Sequence, residues 1–391
     1  MATYEANVLI VNAGSSSLKL AFISSGPPAF RRKAQFEKIG FETSSWELEL
    51  ADGSKQTGQA PLKHAVDMLP IIKKWLGDAK LTAIAHRVVH SGPDFSEHTI
   101  ISPQVLNGLK KIARMAPEHL PREIELIEAF FEMAPGIPQI ACFDTVFHTT
   151  LLPEAKTFAL PKNLRDHGIQ RYGFHGLSYE YIASWMKEHG CIAERCIVAH
   201  LGNGCSMTAI RDGQSIDTTM GFTPAAGLVM GTRCGDLDPG IFRFLADDLG
   251  LSALKIDRLL NHESGLRGLS ETSSDMRDLL AAREEDPRAA LALDVFCHNA
   301  KQHLASLAAT LGGVDRIIFT GGIGEHAPEI RAKILSGLEF MGLHVDTEAN
   351  RKNQTLISSP DSPATIHVVP TNEEAVMFQI ATHLISHSVS S

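Results

Sequence analysis

The sequence predicts an α/β protein with two related domains, and three observations support this prediction. A chain of 391 residues with 44% hydrophobic content is typical of a globular protein with two domains. Short apolar runs typical of strands alternate with longer segments that have helical spacing. A strand–turn–strand pattern at residues 8–22 recurs faintly at residues 196–210, with Gly202 in the place of Gly14. Such a repeat indicates a duplicated fold with two domains that face each other.

The first half of the chain has the pattern of three strands, a helix, a strand, two helices and a last strand, which favours a mixed sheet. Leu62, Ala65, Val66 and Leu69 recur at helical spacing. We expect Pro70 to kink or end that helix, because proline lacks the N–H donor. The other predicted elements are a hairpin at 8–23, strands at 46–50, 81–89 and 139–143, and helices at 103–115 and 121–133.

The second half repeats this order, and most of its polar motifs follow predicted strands. Ligands of open α/β sheets bind beyond the carboxyl ends of the strands, so these motifs are candidates for a binding site. Ser178 is the expected N-cap of a helix at 179–189, and Pro328 and Gly337 should begin and end another helix. The remaining predicted elements are a hairpin at 196–210, strands at 215–219, 316–320 and 366–369, and helices at 239–249, at 288–311 and up to about 386.

Composition and charge exclude several classes of protein. The net charge of −9 argues against a general nucleic-acid binder. The six cysteines are scattered without a C-x-x-C pair, so we expect reduced thiols in a cytoplasm rather than disulfides or a metal cluster. The N-terminus lacks the pattern of a signal peptide, and the uncharged stretch at 218–232 is too short and too interrupted to span a bilayer. We therefore expect neither a nucleic acid nor a membrane among the partners.

The turn at residues 13–16 suits a phosphate group. It offers free backbone N–H groups, hydroxyls from Ser15, Ser16 and Ser17, and the ammonium group of Lys19 nearby. An ordinary hairpin with a polar turn explains the stretch equally well. The stretch by itself leaves both interpretations open.

A second glycine-rich stretch leaves another class of enzyme open. The chain has no G-x-x-x-x-G-K-[ST] motif, which excludes a P-loop protein. Residues 322–327 match the G-x-G-x-x-A variant of the dinucleotide fingerprint, follow a predicted strand, and precede Asp346 by about twenty residues. A dehydrogenase is therefore an alternative on these residues.

Two arginines stand in unusual surroundings. Arg87 is flanked by two histidines at the end of a predicted strand, and Arg233 lies among glycines and aspartates. Guanidinium groups bind carboxylates and phosphates at two points and can hold a phosphoryl group in transfer. The alternative is a structural ion pair, for Arg233 with Asp236 or Asp238.

A histidine and two carboxylates add to this set. His175 lies between aromatic and glycine residues before a predicted helix, where it can donate to an anion or be an ordinary core histidine. Asp144 follows a buried strand and Glu373 opens a helix, so each can bind Mg²⁺ or serve as a cap. Together, the loops, arginines, histidine and carboxylates are typical of phosphoryl transfer, in which catalysis is mostly positioning and neutralisation of charge.

The sequence resembles the acetokinase family over nearly its whole length, from Val8 to the last helix. The resemblance implies the fold of the sugar kinase, heat-shock ATPase and actin superfamily, with two duplicated ribonuclease H-like domains, mixed sheets and an interdomain cleft. Residues 1–147 with 375–391 would form an acyl-substrate and phosphate domain, closed by the C-terminal helix, and 148–374 a nucleotide-binding domain. The motifs that carry the resemblance are 12–19, 86–90, 143–148, 172–176, 200–204, 230–239, 321–325 and 371–374.

The resemblance implies a Mg²⁺-dependent phosphotransferase with a carboxyl group as acceptor. The reaction would be the reversible, direct in-line transfer of the γ-phosphoryl group of ATP to acetate, which gives acetyl phosphate and ADP; Mn²⁺ would be able to replace Mg²⁺. The resemblance also implies a homodimer, and the cysteines favour a cytoplasmic location. The alternatives are a propionate or butyrate kinase of the same family and, more distantly, a non-catalytic nucleotide-driven module of the actin and heat-shock ATPase superfamily.

The resemblance also assigns roles to residues. Asp144 matches the catalytic acid, His175 and Arg233 match the stabilisers of the phosphoryl group, and Arg87 matches the residue that holds the acetate carboxylate. Asn12 and Glu373 match the Mg²⁺ positions. The pocket around the acetate methyl group corresponds to Val89, Phe174 and Pro224. The nucleotide contacts correspond to Lys19, His200, Leu201, Gly202, Asn203, Gly204, Asp275, Met276, Arg277, Gly322, Ile323, Gly324, Glu325 and His326.

Two considerations qualify these roles. The family often shows Ala-Pro-Leu-His-Asn where this chain has Ala-Pro-Glu-His-Leu at 116–120, so Glu118 replaces an apolar pocket position and leaves the acyl specificity open. Acetate is already an anion, so Asp144 has no proton to remove from it. We expect Asp144 to organise Mg²⁺ and its waters or to orient an arginine.

Overall fold

The computed structural model describes residues 5–14, 16–26 and 30–388, which form two compact units. The first unit comprises Met1–Val146 and Asn372–Ser391, and the second comprises Phe147–Thr371. Ser15, one of the three serines of the N-terminal loop, lies outside the described residues.

The first unit is built on a mixed sheet of eight strands. These are β1 Asn7–Ala13, β2 Ser17–Ser24, β3 Phe30–Glu37, β4 Ser44–Glu49, β5 Lys55–Ala60, β6 Ala83–Val88, β7 Thr99–Ile100 and β8 Gln139–Phe143. Their order is β5-β4-β3-β2-β1-β6-β8-β7. β1 is antiparallel to β2 but parallel to β6, which is parallel to β8. The carboxyl ends of β1, β6 and β8 therefore lie at the same edge of the sheet.

Three helices follow strands of this unit: α1 Ala65–Leu76, α2 Pro103–Ile112 and α3 Leu120–Met133. The core lies between the sheet and helices α1 and α3, where buried side chains such as Leu9, Phe36, Met68 and Phe130 meet. Burial of aromatic and aliphatic side chains of this size is the main stabilising contribution to such a unit.

Of the two effects expected of Pro70, a kink or an end of the helix, the end is wrong. Pro70 lies inside the helix, which continues to Leu76, and Val66 is half exposed rather than buried. The buried face of the helix consists of Ala65, Met68, Ile72, Trp75 and Leu76. Packing of this face onto the sheet outweighs the one backbone hydrogen bond that the proline removes.

The second unit contains a mixed sheet of five strands. These are β9 Cys196–Leu201, β10 Cys205–Arg211, β11 Gln214–Thr218, β12 Arg316–Thr320 and β13 Thr365–Val368, in the order β11-β10-β9-β12-β13. β9 is antiparallel to β10 and parallel to β12, which is parallel to β13. The strands β3-β2-β1-β6-β8 of the first unit follow the same order and directions. The predicted duplicated α/β fold with mixed sheets is therefore confirmed.

The helices of the second unit are mostly short, apart from one long central helix. They are α4 Pro153–Lys156, α5 Lys162–Arg165, α6 Gly176–Glu188, α7 Pro239–Asp247, α8 Ala253–His262, α9 Gly265–Ser270, α10 Met276–Ala282, α11 Pro287–Leu311, α12 Gly321–His326, α13 Pro328–Leu335 and α14 Thr347–Arg351. The long helix α11 begins at an N-cap, Asp286, and ends at Gly312, whose φ of 71° suits glycine.

The last helix, α15 Glu373–Ser388, belongs to the first unit and contacts β1, β6 and β8. Short 3₁₀ turns occur at Ala113–Met115, Val146–Thr150 and Glu339–Met341. Over the described ranges, every helix is too short or too polar to cross a membrane.

Candidate functional site

The first unit brings Asn12, Arg87 and Asp144 together at one edge of its sheet. They lie at or just beyond the carboxyl ends of β1, β6 and β8. Nε of Arg87 donates to both carboxylate oxygens of Asp144 at 3.0 Å, and Nη2 donates to Oδ2 as well. Nη1 of Arg87 donates to Oδ1 of Asn12 at 3.3 Å. These three residues, with Glu123 and Glu373, form what we call the Arg87 cluster.

The cation of Arg87 is stable despite its burial. Burial alone disfavours the charged guanidinium and lowers the pKa of Arg87. The carboxylates of Asp144, Glu373 and Glu123 outweigh this effect, so the pKa lies above its ordinary value. The bonds to Asp144 and Asn12 engage three of the five guanidinium N–H groups. One N–H on each of Nη1 and Nη2 takes no part in these bonds and can donate to an anion. In this geometry Asp144 orients an arginine.

The two histidines that flank Arg87 have structural partners. Nε2 of His86 hydrogen-bonds Oε1 of Gln139 at 2.6 Å, and burial lowers the pKa of His86 to about 4. Nδ1 of His90 accepts from the backbone N–H of Gly92 at 2.8 Å. His86 is therefore neutral at ordinary pH, and these contacts hold the strand end that carries Arg87.

Glu123 is a member of the cluster that sequence reasoning missed. Its Oε2 accepts from the backbone N–H of Val89 at 3.1 Å, and only 4% of the residue is exposed. Burial raises the pKa of Glu123 to about 8, although the bond to Val89 and the charge of Arg87 lower it in part. A signal was present in the sequence, because Glu123 lies at helical spacing from Ile127 and Phe130 on the apolar face of α3.

Asn12 and Glu373 offer oxygen ligands that suit a hard divalent cation. Asn12 supplies an amide oxygen next to Arg87, and the carboxylate of Glu373, the first residue of α15, is close enough to act on the charge of Arg87. Lys19 is paired with Asn12 across β1 and β2, so both side chains lie on the same face of the sheet. In the described parts of the chain, three or more His, Cys, Asp or Glu side chains nowhere form a group that could hold a metal. A cation bound here would therefore take its other ligands from substrate and water.

In the second unit, His175 is held in place by its backbone and by Ser206. The residue precedes α6 in the left-handed conformation, with φ of 60°, and its Nδ1 hydrogen-bonds Oγ of Ser206 at 2.8 Å. The ring stacks on that of His200, with 4.3 Å between centroids. The predicted N-cap at Ser178 is wrong, because α6 begins at Gly176 and Ser178 lies in its first turn. The Ser178 hydroxyl hydrogen-bonds Nδ1 of His200 at 2.9 Å instead.

Arg233 and His175 both lie next to Gly204. Nη1 of Arg233 donates to the carbonyl oxygen of Pro224 at 3.1 Å, which orients the guanidinium. A Cβ atom added to Gly204 would lie 3.3 Å from Nε2 of His175 and 3.5 Å from Nη1 of Arg233. Glycine therefore keeps open the space that these two groups share.

The two aspartates near Arg233 cap backbone groups. Oδ1 of Asp236 accepts from the N–H of Gly227 at 2.8 Å, and Oδ1 of Asp238 accepts from Gly240 at the start of α7. These bonds do not involve Arg233, so the ion-pair alternative gains no support from them.

Three separate segments of the second unit line a single pocket of about 440 Å³. One segment is the turn between β9 and β10, one is the start of α10, and one is α12. Asp275 caps α10 and pairs with Arg277, which lowers the pKa of Asp275 to about 2. The predicted nucleotide residues in the lining are Gly202, Asn203, Asp275, Met276, Arg277, Gly322, Ile323 and His326.

The other predicted nucleotide residues of this unit do not line that pocket. Leu201 and Gly324 are buried, His200 stacks on His175, and Gly204 lies beside Arg233. Oε1 of Glu325 accepts from the backbone N–H of Gly321 at 2.9 Å, so its carboxylate supports the loop itself.

Arg331 is a second residue that sequence reasoning missed. It is fully buried, and it donates to the carbonyl oxygens of Gly324 at 2.8 Å and Glu325 at 3.1 Å. Its other partners, Asn350 and Asn353, are also neutral. Burial lowers the pKa of Arg331 to about 10. The cation therefore ties the end of α12 to α14, and no pattern in the sequence distinguishes it from an exposed helical arginine.

Asp346, the acidic residue on which the dinucleotide interpretation of residues 322–327 depends, has a structural role instead. Oδ1 of Asp346 accepts from the backbone N–H groups of Glu348 and Ala349 at 2.9 Å, so Asp346 serves as the N-cap of α14. The sheet beneath the loop duplicates that of the first unit and begins with an antiparallel hairpin. A dinucleotide fold has a mostly parallel sheet.

The remaining predicted residues occupy varied positions. Phe174 is buried, and its carbonyl oxygen hydrogen-bonds Nε2 of His148 at 2.9 Å. Val89 is buried beside Glu123 in the first unit. Glu118 is exposed.

Comparison with known proteins gives a consistent result over nearly the whole chain. Residues 7–379 match the model of the Acetokinase family. The chain is 43% identical to acetate kinase 2 of Neisseria meningitidis over 390 residues, which cover 95% of this chain and 96% of that protein. The crystal structure of Porphyromonas gingivalis acetate kinase matches with a TM-score of 0.89 at 34% identity, and that of a Francisella tularensis propionate kinase with 0.91 at 38% identity. Each structural match covers 97% of this chain and 100% of the other.

We expect Glu123→Gln to stabilise the protein increasingly as the pH rises from 4.5 to about 8. Over this interval the unfolded chain has released the glutamate proton but the folded chain retains it, so the native protein loses stability with rising pH. Glutamine does not titrate and still accepts from Val89. Urea denaturation of both proteins at a series of pH values measures the difference.

The matched control is Glu132→Gln, an exposed position on the same helix. For this variant the difference in the free energy of unfolding should stay constant with pH. A constant difference for Glu123→Gln as well would contradict the raised pKa.

Proposed function

Because the chain belongs to the acetokinase family, we propose that it transfers the γ-phosphoryl group of ATP reversibly to acetate, which gives acetyl phosphate and ADP. Membership of this family makes the protein a kinase with a carboxylate acceptor and a nucleotide co-substrate. The observation that best supports the acetate proposal is Arg87, which Asp144 orients while two of its N–H groups remain for a carboxylate. We propose that the first unit binds the acyl substrate and the second the nucleotide.

The acceptor needs no base. A carboxylate oxygen of acetate attacks the γ-phosphorus, the bond from that phosphorus to the β–γ bridging oxygen breaks, and ADP leaves with the bonding electron pair. No proton moves in this step. The role of Asp144 is to fix the plane of the Arg87 guanidinium, and the role of Arg87 is to offset the repulsion between acetate and the triphosphate.

His175 and Arg233 stabilise the transferring phosphoryl group. Nε2 of His175 and Nη1 of Arg233 flank the open space at Gly204, and each can donate to an equatorial oxygen. The nucleotide occupies the pocket between the β9–β10 turn, α10 and α12. Lys19 acts at the phosphate end of the first unit.

Mg²⁺ is the proposed metal, and Mn²⁺ can replace it. Asn12 and Glu373 would hold it, because an amide oxygen and a carboxylate are ligands that these cations prefer. When bound, the cation neutralises charge on the phosphates.

We propose that the protein is a homodimer that forms through α7 and α8. No residue of α7 is buried, although Ile241, Phe242 and Phe244 are apolar and 41%, 50% and 53% exposed. Leu254 of α8 is 78% exposed. Apolar patches of this kind mark association surfaces. The six free cysteines and the need for ATP support a location in the cytoplasm.

Propionate is the second candidate acceptor. The match to a propionate kinase at 38% identity favours it, and Glu118 at a position that is apolar in the family leaves the acyl pocket open to it. Val89, Phe174 and Pro224 remain the proposed contacts of the acyl chain.

The decisive experiment for function is a series of kcat/KM values for acetate, propionate and butyrate with ATP and Mg²⁺, with the acyl phosphate trapped as hydroxamate. We expect acetate to be the best substrate, by about tenfold over propionate, because a small pocket discriminates against an added methylene. A higher value for propionate would make the protein a propionate kinase. Absence of any acyl hydroxamate would indicate a nucleotide-driven module without this chemistry.

Replacement of Arg233 and of Arg87 by alanine should affect different kinetic constants. Arg233→Ala should lower kcat by about 10²–10³-fold with little change in the KM for acetate, because it removes a donor to the transition state. Arg87→Ala should raise the KM for acetate strongly. Arg351→Ala, an exposed arginine of α14, is the control and should leave both constants unchanged. A pure KM effect of Arg233→Ala would overturn its assigned role.

The proposed dimer surface predicts a change in mass. Phe242→Glu should convert the dimer to monomers in sedimentation velocity, because a buried carboxylate without a partner opposes association. Phe340→Glu, at an 82% exposed position outside α7 and α8, should leave the dimer intact. A native protein that sediments as a monomer, or a dimeric Phe242→Glu variant, would refute this surface.

A further inference from the structure

The backbone of residues 230–233, which we call the Arg233 turn, is held by hydrogen bonds at all four of its carbonyl oxygens. The turn closes on itself, because the N–H of Met230 donates to the carbonyl oxygen of Arg233 at 3.1 Å. The other three carbonyl oxygens accept from backbone N–H groups at the start of α9, at 2.9–3.1 Å, namely those of Ser264, Leu266 and Arg267. The first N–H groups of a helix have no partner within it, so the Arg233 turn caps α9.

The residues on both sides of Arg233 bond to the end of α8. Oγ1 of Thr232 donates to the carbonyl oxygen of Asn261 at 2.8 Å, and the N–H of Cys234 donates to that of Leu260 at 3.1 Å. Both carbonyls belong to the last turn of α8, where a helix provides no acceptance partner of its own. Arg233 therefore lies between two residues that are bound to the same helix end.

Close packing at Gly265 leaves the Arg233 turn little freedom to move. Gly265 has a φ of 63°, a conformation that favours glycine. A Cβ atom added there would lie 2.3 Å from the carbonyl oxygen of Met230 and 2.7 Å from that of Arg233. These contacts are with backbone atoms rather than with flexible side chains, so any larger residue at position 265 would displace the turn.

The Arg233 turn also contacts the proposed site directly. The N–H of Gly231 donates to the carbonyl oxygen of Asn203 at 3.2 Å, and Asn203 lines the proposed nucleotide pocket. The guanidinium of Arg233 bonds Pro224 and lies next to Gly204. A displacement of the turn would therefore move the guanidinium away from the place where it can meet a phosphoryl group.

We propose that the junction of α8 and α9 fixes Arg233 for phosphoryl transfer, and that Thr232 and Gly265 are positioning residues. Thr232 holds the turn to α8, whose carbonyl its hydroxyl contacts, and Gly265 lets α9 approach the turn closely. Both residues act through Arg233. The part of the proposal that concerns catalysis rests on the proposed function, whereas the part that concerns the position of Arg233 does not.

The first test replaces the hydroxyl of Thr232 without changing the size of the side chain. Thr232→Val should lower kcat by about ten- to a hundredfold, because displacement of a catalytic group by about 1 Å can cost this much. The KM values for acetate and ATP should change little. Thr232→Ser keeps the donor to Asn261 and should restore kcat close to the native value.

Thr150→Val is the matched control, because Thr150 also donates to a backbone carbonyl of this unit, that of Ser215, at 3.0 Å. Its kcat should equal that of the native protein. A native kcat for Thr232→Val, or a Thr232→Ser variant as slow as Thr232→Val, would overturn the proposal.

A double-mutant cycle distinguishes positioning of Arg233 from a general loss of structure. In the Arg233→Ala background, Thr232→Val should cause no further fall in kcat, because the group that it positions is gone. A fall by the same factor as in the native background would show that Thr232 acts independently of Arg233, and the proposal would fail.

The position of Arg233 can be measured without activity. In crystal structures we expect Thr232→Val to lose the contact between Nη1 of Arg233 and the carbonyl oxygen of Pro224, and Thr232→Ser to keep it. An unmoved guanidinium in Thr232→Val would overturn the proposal, even if Arg233→Ala has native activity and the proposed function fails.

Gly265→Ala is the second variant, and its Cβ atom should displace the turn directly. We expect a larger fall in kcat than for Thr232→Val, with thermal unfolding as the check that the variant is folded. A folded Gly265→Ala protein with native kcat would contradict the proposal. If the variant does not fold, the Thr232 variants decide the question.

Discussion

The parallel pairing of a few central strands is the constraint on which both units depend. β1, β6 and β8 run in one direction in the first unit, as do β9, β12 and β13 in the second. Strands that run in the same direction end at the same edge, where their backbone no longer pairs and polar side chains can gather. Asn12, Arg87 and Asp144 come from positions far apart in the chain and meet for this reason.

The electrostatics of the site follow from this gathering of charge in poorly hydrated surroundings. A buried cation is costly unless it is paired, and Arg87 is paired with Asp144 while the charge of Glu373 stabilises it as well. Burial also disfavours the charged form of Glu123. The bond from Val89 and the charge of Arg87 offset this only in part, so the pKa of Glu123 rises to about 8. The buried charge of Arg331 is stabilised in a different way, because backbone carbonyls and asparagines surround it in place of a carboxylate. Each of these groups restrains a segment that carries proposed binding residues.

Predictions from local sequence patterns were correct where the conformational preference of a segment agreed with its packing in the fold. The buried strands β8 and β12 lie where the apolar runs predict them. Helix α1 continues past Pro70 because its apolar face packs on the sheet. Ser178 bonds a histidine rather than a helix terminus because the left-handed backbone of His175 starts α6 earlier than its sequence suggests. In both cases a contact distant in sequence outweighed a local preference.

The sequence by itself determined the family, the duplicated α/β fold and the residue types suited to phosphoryl transfer, because motifs and hydrophobic periodicity are properties of short segments. Only the tertiary structure decided which groups pair: that Asp144 orients Arg87, that Glu123 is buried beside Val89, and that Glu325 supports its own loop. Hydrogen bonds and desolvation depend on distances of a few ångströms between distant parts of the chain, and no local pattern contains those distances.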